Sequence, residues 1–379
     1  MWINRLRLLI RAELEAAPEQ RRLGTGWLSG TAALVASVAG LILVLCWRHP
    51  GLLTTPELQS VHRAAWLPWL VYSTLIVAFG LAMLNLLLRR NRVLGLTAMT
   101  VTLLASLRGS VTTGLEVETS PLYFGLDFFV LNVIFTGFLF VPMELLFARL
   151  KEQPVFRDEW REDLFYYLVS SLFVQVLTIL AFGPWRLIMA NTEWASFRTW
   201  VGSQPFVLQF LEIMFLTDLA QYWVHRAFHQ VKFLWHFHAV HHSAKSMDWM
   251  AGARMHFCEI VVLRATTAIP MFTLGFQPSA LQAYLLFLYV HSTFIHANLR
   301  WRLAWLGRVF VTPRFHHWHH GIEREAIDVN FAIHFPLFDK LFGTFHLPQD
   351  DWPSGYGVGG HPVPKGYWQQ FWYPFRKRS

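Results

Sequence analysis

Six stretches of the chain, at residues 27 to 47, 66 to 88, 93 to 107, 121 to 148, 164 to 183 and 206 to 224, are apolar without interruption or nearly so. A helix needs roughly 20 such residues to cross the hydrocarbon core of a bilayer, so five of the six are long enough and the third is short. In lipid every backbone polar group must be bonded within the structure, which makes helices the spanning form for runs of this length. Lys and Arg in the connections test the arrangement: five precede the first stretch, and two, three, one, four and two fall between successive stretches. The two alternating sides carry 12 against 5. With the third stretch crossing, the positive-inside rule places the N-terminus and everything just after Val224 in the cytoplasm. The expected fold is therefore all-α, a multi-pass transmembrane helical bundle. Composition agrees, since 54% apolar and 15% charged residues lie outside the range of soluble domains.

The formal charge of +8 is spread through short loops between apolar runs. It forms no nucleic-acid recognition module, and nucleic acid is not expected as a partner. Cys46 and Cys258 both sit in or beside apolar segments, so neither a disulfide framework nor a cysteine metal site is expected. Residues 1 to 26 are charged and amphipathic and read as a retained cytoplasmic helix, not a signal peptide.

After residue 224 the texture changes. Thirteen of the 18 histidines lie between His225 and His320, interleaved with two more apolar runs at 257 to 276 and 281 to 295. Gln277-Pro278-Ser279 makes a turn between those runs, so they read as a hairpin that enters the membrane and returns to the same side. Three clusters stand out: His225 with His229; His238 with His241 and His242; and His316 with His319 and His320. Positions i, i+3 and i+4 of a helix project from one face, so each cluster is convergent. Neutral imidazole is a good ligand for Fe, Zn, Cu or Ni, and eight or more convergent rings exceed what a single ion can use. Two metal ions follow from the count. His236 and His317 sit off the motif faces and read as structural or as supports behind the ligating rings. The last residues mix Gly and Pro with Trp368, Phe371, Trp372, Tyr373 and Phe375 and suit the headgroup region.

The pattern H-x3-H, then H-x2-HH twice, behind several apolar runs resembles the fatty acid hydroxylase and sterol desaturase superfamily. The flanks take part in the resemblance: Asp218 to Arg226 around the first cluster, Trp235 to Ser243 at the second, Thr312-Pro313 before the third, and Gly321, Asn330-Phe331-Ala332 and Phe338 to Thr344 after it. It covers about residues 140 to 365. The sequence departs from the family pattern at Arg254-Met255-His256-Phe257, which lacks a proline after the histidine, and at Phe331-Ala332, where Tyr and Gly are usual.

The resemblance implies two non-haem iron ions, dioxygen as co-substrate, a membrane lipid or sterol-like substrate, and a separate electron donor, ferredoxin-like or cytochrome-type, with its reductase. Hydroxylation or desaturation of a C–H bond would follow. Carried over position by position, the implied metal ligands are His225, His229, His238, His241, His242, His316, His319 and His320, with His296 added after the returning hairpin arm. His256 and His291 are weaker candidates. The far ring N–H of a ligating imidazole usually donates to a carboxylate or carbonyl. Asp218, two helical turns before His225, is expected to act in this way, with Asn330 and Asp339 as similar candidates, while Glu144 and Glu212 stay unassigned. The domain reading is 1–120 as an N-terminal membrane region with three spans, 121–365 as the catalytic domain and 366–379 as an aromatic and basic tail. The site falls on the cytoplasmic side of a cell inner membrane in a bacterium or of the endoplasmic reticulum in a eukaryote.

A multi-pass metal-ion transporter with a histidine-lined site is the alternative from another class. Transport sites lie near the bilayer midplane at broken helices, whereas these clusters sit at helix ends. A haem protein needs only two axial histidines per haem, and a zinc hydrolase of the H-E-x-x-H type needs a glutamate that is absent here.

Overall fold

The computed structural model describes residues 2–107, 123–190, 194–301, 306–349, 351–359 and 363–376. Among them there is no strand, only the isolated bridges of Ala148 with Leu299 and Gly321 with Tyr356. The chain divides into two compact units. The first comprises Met1–Val133, Pro154–Arg157 and Ser171–Gln175, and the second Ile134–Gln153, Asp158–Ser170 and Val176–Ser379. The boundary that the sequence places at residues 120 and 121 lies outside the described residues, as do Lys377 and Arg378 of the basic tail.

In the first unit the helices Trp27–Arg48, Leu67–Leu88 and Val93–Leu107 pack on one another through small residues. Ala33, Ala82 and Ala98 are fully buried at the seam. Close approach of helices in lipid depends on such residues, because lipid tails remove the hydrophobic drive for association. Asn85 supplies the polar link: its Nδ2 donates to Gly26 O at 2.7 Å and its Oδ1 accepts from Gly95 N at 3.0 Å. A Cβ at Gly30 would collide with the Asn85 amide, so glycine is required there. Asp127 holds the 55–62 segment, accepting from Thr55 N at 3.0 Å and Thr55 Oγ1 at 2.9 Å, with His62 Nε2 at 3.2 Å.

The sequence predicts six crossings. Among the described residues three helices, Trp27–Arg48, Leu67–Leu88 and Leu126–Phe147, are long and apolar enough to cross a membrane. The pair Trp160–Leu172 and Val174–Met189, bent by 64°, makes a fourth if counted as one span. These helices mark a membrane protein. Val93–Leu107, with 15 residues, is about 22 Å long at 1.5 Å per residue, short of a core of about 30 Å. Phe206–Gln230 has ample length at 25 residues, but Glu212, Asp218, Arg226 and two histidines dilute its apolarity.

The second unit is built around Phe206–Gln230, against which the hairpin helices Phe257–Thr273 and Pro278–His296 pack. Ile213, Met214, Met271, Phe276, Ala280 and Tyr284 form its apolar core. Two buried polar links brace it. Glu144 Oε1 accepts from Trp249 N at 2.8 Å and from Asn298 N at 2.9 Å, which gives that residue a structural task. Arg254 pairs with Asp163 at 2.6 Å and Glu159 at 3.0 Å.

Candidate metal centre

One extended residue brings the first two clusters together. Phe206–Gln230 ends at Val231, whose φ of −91° and ψ of 111° break the helix, and Lys232–His242 starts at once. A β-branched residue is at ease in extended backbone. The chain folds back there, and His238 Nε2 comes to rest 3.0 Å from His225 Nε2. The third cluster rides on Pro313–His319, started by Pro313 at its first position, where the missing N–H costs nothing. His296 closes the hairpin helix Pro278–His296.

The nine imidazoles that the sequence singles out fall into two groups. His225, His229, His238, His242 and His319 form one, and His241, His296, His316 and His320 the other; within each, one ring nitrogen per residue lies within 4.8 Å of all the rest. Interdigitation is therefore across clusters: the second cluster gives two rings to the first group and one to the second.

The tautomers decide what these groups can hold. His225 Nδ1 lies 2.8 Å from Phe331 O, His319 Nδ1 2.8 Å from Val329 O, His241 Nδ1 2.9 Å from Arg254 O and His296 Nδ1 2.7 Å from Ser292 O. A carbonyl oxygen only accepts, so each of these Nδ1 atoms carries the hydrogen, and in a neutral ring Nε2 is then a bare lone pair. His238 Nδ1 meets the Glu259 carboxylate in the same sense. The Nε2 atoms nevertheless face one another, His225 with His238 at 3.0 Å and His296 with His241 at 3.3 Å. Lone pair against lone pair at that separation is repulsive unless a cation lies between them. Protonation is not the remedy: burial first, and then neighbouring imidazoles, holds His238, His242, His319, His316 and His320 well below the ordinary imidazole range, and burial with His296 does so for His241. His229 Nε2 is buried and makes no hydrogen bond. The donor set fits metal ions that favour neutral nitrogen ligands.

Asp218, Asn330 and Asp339 stand near this centre but act differently from the expectation that they would take an imidazole N–H. Asp218 Oδ1 accepts from Ile333 N at 2.8 Å and its Oδ2 from Phe335 N at 2.7 Å. Asp339 accepts from Phe331 N at 2.8 Å, Ala332 N at 3.0 Å and Thr344 Oγ1 at 2.7 Å. Burial raises the Asp339 carboxyl to about 6, against the pull of those donors. Asn330 donates to Phe315 O and His346 O and accepts from His346 N. Asp328 and Asn330 both have a φ of 59°, a left-handed conformation that Asp and Asn tolerate better than most residues. Alternation of these two conformations about Val329 aims the 329 and 331 carbonyls at His319 and His225. The three polar side chains thus clamp the backbone around the 331–335 segment, and none of them bonds a ring.

Glu259, in the first turn of its hairpin helix, is the carboxylate that does meet a ring of the clusters from a buried position. Sequence reading missed that role; its signal was a carboxylate at the mouth of an apolar run beside histidines. His256 lies apart from both groups, bonding Phe371 O at 2.9 Å and accepting from Cys258 N at 3.1 Å. His291 pairs with His334 at 3.3 Å instead. His317 Nδ1 bonds the Tyr356 hydroxyl at 2.7 Å and its Nε2 faces His296 O at 3.3 Å, a structural placement.

Residues 210–344 match the family model described as fatty acid hydroxylase. An ornithine lipid hydroxylase of Rhizobium tropici is 30% identical over 184 residues, which are 48% of this chain and 54% of that protein. An alkylglycerol monooxygenase of Caenorhabditis elegans is 30% identical over 182 residues, 48% of this chain and 33% of its own length. A putative methylsterol monooxygenase of Dictyostelium discoideum is 27% identical over 239 residues, 59% of this chain and 86% of that protein. The chain thus spans about half, or a third, of the first two relatives. No solved structure matches it.

Proposed function

We propose, from the premise that the chain carries a fatty acid hydroxylase domain over residues 210–344, that it is a membrane-bound di-iron oxygenase that hydroxylates a C–H bond of a lipid. The observation that carries this reading is the convergence of nine imidazoles in two groups, five rings in one and four in the other, with bare Nε2 lone pairs at His225, His238, His241, His296 and His319. One group would hold each iron. Iron so held supplies dioxygen activation: one oxygen atom enters the C–H bond, the other leaves as water, and two electrons and two protons are consumed from outside. The residues of the chain do the rest. Backbone carbonyls at 254, 292, 329 and 331 fix four of the rings, Asp218, Asn330 and Asp339 brace the segment that carries the last two of those carbonyls, and the buried setting of the rings keeps bulk water out.

The catalytic domain is assigned to 121–365, with 1–120 as a membrane region and 366–379 as a tail. The relatives act, by name, on an ornithine lipid, an alkylglycerol and a methylsterol; a lipid is the class they share. An open apolar groove of about 580 Å³, walled by Phe197, Trp200, Phe215, Leu216, Phe276 and Phe335, lies against the first half of the helix Phe206–Gln230 and would suit an acyl or ring hydrocarbon. The electrons come from a separate donor of ferredoxin or cytochrome type with its reductase, and the site faces the cytoplasm, at the inner membrane of a bacterium or the endoplasmic reticulum of a eukaryote. The test is metal content by plasma mass spectrometry on detergent-purified protein beside His241→Ala and His319→Ala. Close to two irons in the wild type, with each variant losing iron and lipid oxidation, is the expected result. Zinc alone, or iron indifferent to both substitutions, sinks the proposal and favours the transporter.

A further inference from the structure

Four polar side chains run in single file through the apolar core of the second unit. Thr217 Oγ1 lies 2.5 Å from the Tyr284 hydroxyl, that hydroxyl 3.1 Å from His334 Nε2, His334 Nδ1 3.3 Å from His291 Nδ1, and His291 Nε2 3.0 Å from Val311 O. None of the four is more than 4% exposed. Phe210 packs on Tyr284, and Phe287 and Phe310 pack on both imidazoles. Burying polar groups costs free energy that their mutual bonds do little more than offset, so packing alone would be served as well by apolar side chains of the same shape.

The far end fixes the direction of every bond. A carbonyl only accepts, so His291 Nε2 carries the hydrogen and, in the neutral ring, its Nδ1 is bare. His334 must then donate from Nδ1, which leaves its Nε2 bare, and the Tyr284 O–H is the donor that faces it. Thr217 completes the file by donating to the phenol oxygen; if it donated to Ile213 O instead, at 2.6 Å, the two hydroxyl oxygens would meet with no hydrogen between them. Tyr284 thus gives its hydrogen to an imidazole that can pass one on. Tyr356 also meets an imidazole, His317, but Arg149 donates to its oxygen and it borders a polar pocket.

The file is anchored on the elements that carry the clustered rings. Thr217 lies on Phe206–Gln230, before His225 by about 12 Å at 1.5 Å per residue. His291 lies on Pro278–His296, the helix that ends in His296, and His334 follows the segment whose Phe331 carbonyl holds His225.

We propose that Tyr284 is a redox-active tyrosine, with His334 and His291 as its proton acceptors, which gives one electron to the iron centre when dioxygen has been activated with no C–H bond in reach. The inference rests on the di-iron reading and adds an activity to it, the protection of the ligating imidazoles from the oxidant they hold. One electron leaves the Tyr284 ring and lowers the oxidised iron centre by one unit of oxidation state. The phenolic proton passes to His334 Nε2 as the His334 Nδ1 proton passes to His291 Nδ1. A neutral tyrosyl radical and a His291 cation remain, and the cation keeps both N–H groups bonded, one to Val311 O and one to His334. One electron from the external donor, with return of the proton, restores the phenol.

The experiment mixes anaerobically reduced, iron-loaded, detergent-purified protein with dioxygen in the absence of lipid and freezes it for electron paramagnetic resonance. A tyrosyl signal that narrows on labelling with ring-deuterated tyrosine is expected. In Tyr284→Phe it should fall at least tenfold, while peptide mass spectrometry finds more oxygen added to the clustered histidines. Thr217→Val removes one bond to the phenol oxygen and nothing from either histidine group, and it should shift the largest g value of the radical at high field. A tyrosine that only packs gives neither result. No tyrosyl signal from the iron-loaded wild type overturns the proposal. So does a signal undiminished in Tyr284→Phe, which assigns the radical to Tyr356 or another tyrosine. If Tyr284→Phe fails to load iron, Thr217→Val decides, because an unshifted spectrum there also overturns the proposal. Absence of iron from the wild type fails the di-iron reading itself and is seen before dioxygen is added.

Discussion

Replacing Asp218 by asparagine removes a single charge and isolates the clamp on the 331–335 segment. The carboxylate accepts one backbone N–H on each oxygen, Ile333 at 2.8 Å and Phe335 at 2.7 Å, in a position only 1% exposed. Asparagine has one oxygen, so in either orientation its NH2 faces a backbone donor and one buried N–H is left without an acceptor. A hydrogen bond to a charged group contributes about 1.5–3 kcal/mol, and an unpaired buried donor costs about 1–3 kcal/mol. We therefore expect Asp218→Asn to destabilise the clamp by about 2–4 kcal/mol. Its effect on the metal passes through the Phe331 carbonyl, which orients His225, and loss of such outer support typically weakens metal affinity by about 10–100-fold. Iron retention in a chelator competition reports this, with Glu212→Gln on the same helix as control, and thermal unfolding separates local loosening from global collapse. An Asp218→Asn protein that holds iron as tightly as the wild type refutes the argument that the carboxylate acts through the backbone.

His317→Ala should keep its iron but unfold at a lower temperature, because it removes the bond to Tyr356 and the contact with the His296 carbonyl, a loss of about 1–3 kcal/mol; iron loss equal to that of His241→Ala would place it among the ligands. The metal-free protein should lose stability as pH falls below about 6.5, since the unfolded chain takes up protons on histidines whose buried folded forms resist them. The sign is that of a group titrating lower in the folded state: the unfolded form binds more protons, so each such ring contributes a slope of up to about 1.4 kcal/mol per pH unit. Denaturant midpoints of the apo protein that rise on acidification from pH 8 to 5.5 would contradict this. In the first unit, Asn85→Leu should cost about 1–2 kcal/mol of stability by removing the link between Gly26 and Gly95, read as a lower melting temperature; an unchanged melting temperature would refute the link.

Apolar runs long enough for lipid and three histidine clusters at i, i+3 and i+4 spacing are local properties, and they determined from the sequence that the protein is helical, membrane-associated and rich in convergent metal-ligand chemistry. Eight of the nine rings could be named because a ligand face repeats with the helix period, and His296 only through the family resemblance. Their sorting into groups of five and four could not, because the clusters interdigitate: His241 and His242 are neighbours in sequence yet belong to different groups. That choice depends on the chain reversal at Val231 and on the return of the hairpin to His296. Among the described residues three helices, or four with the bent pair as one, are long and apolar enough to cross, against six apolar runs in the sequence, because Glu212, Asp218 and His225 lower the apolarity of Phe206–Gln230, whose length would suffice. The tautomers were beyond reading for a related reason. They are set by carbonyls at 254, 292, 329 and 331, groups every residue owns, and only the fold, with Asp328 and Asn330 in left-handed conformation, decides which of them point at a ring.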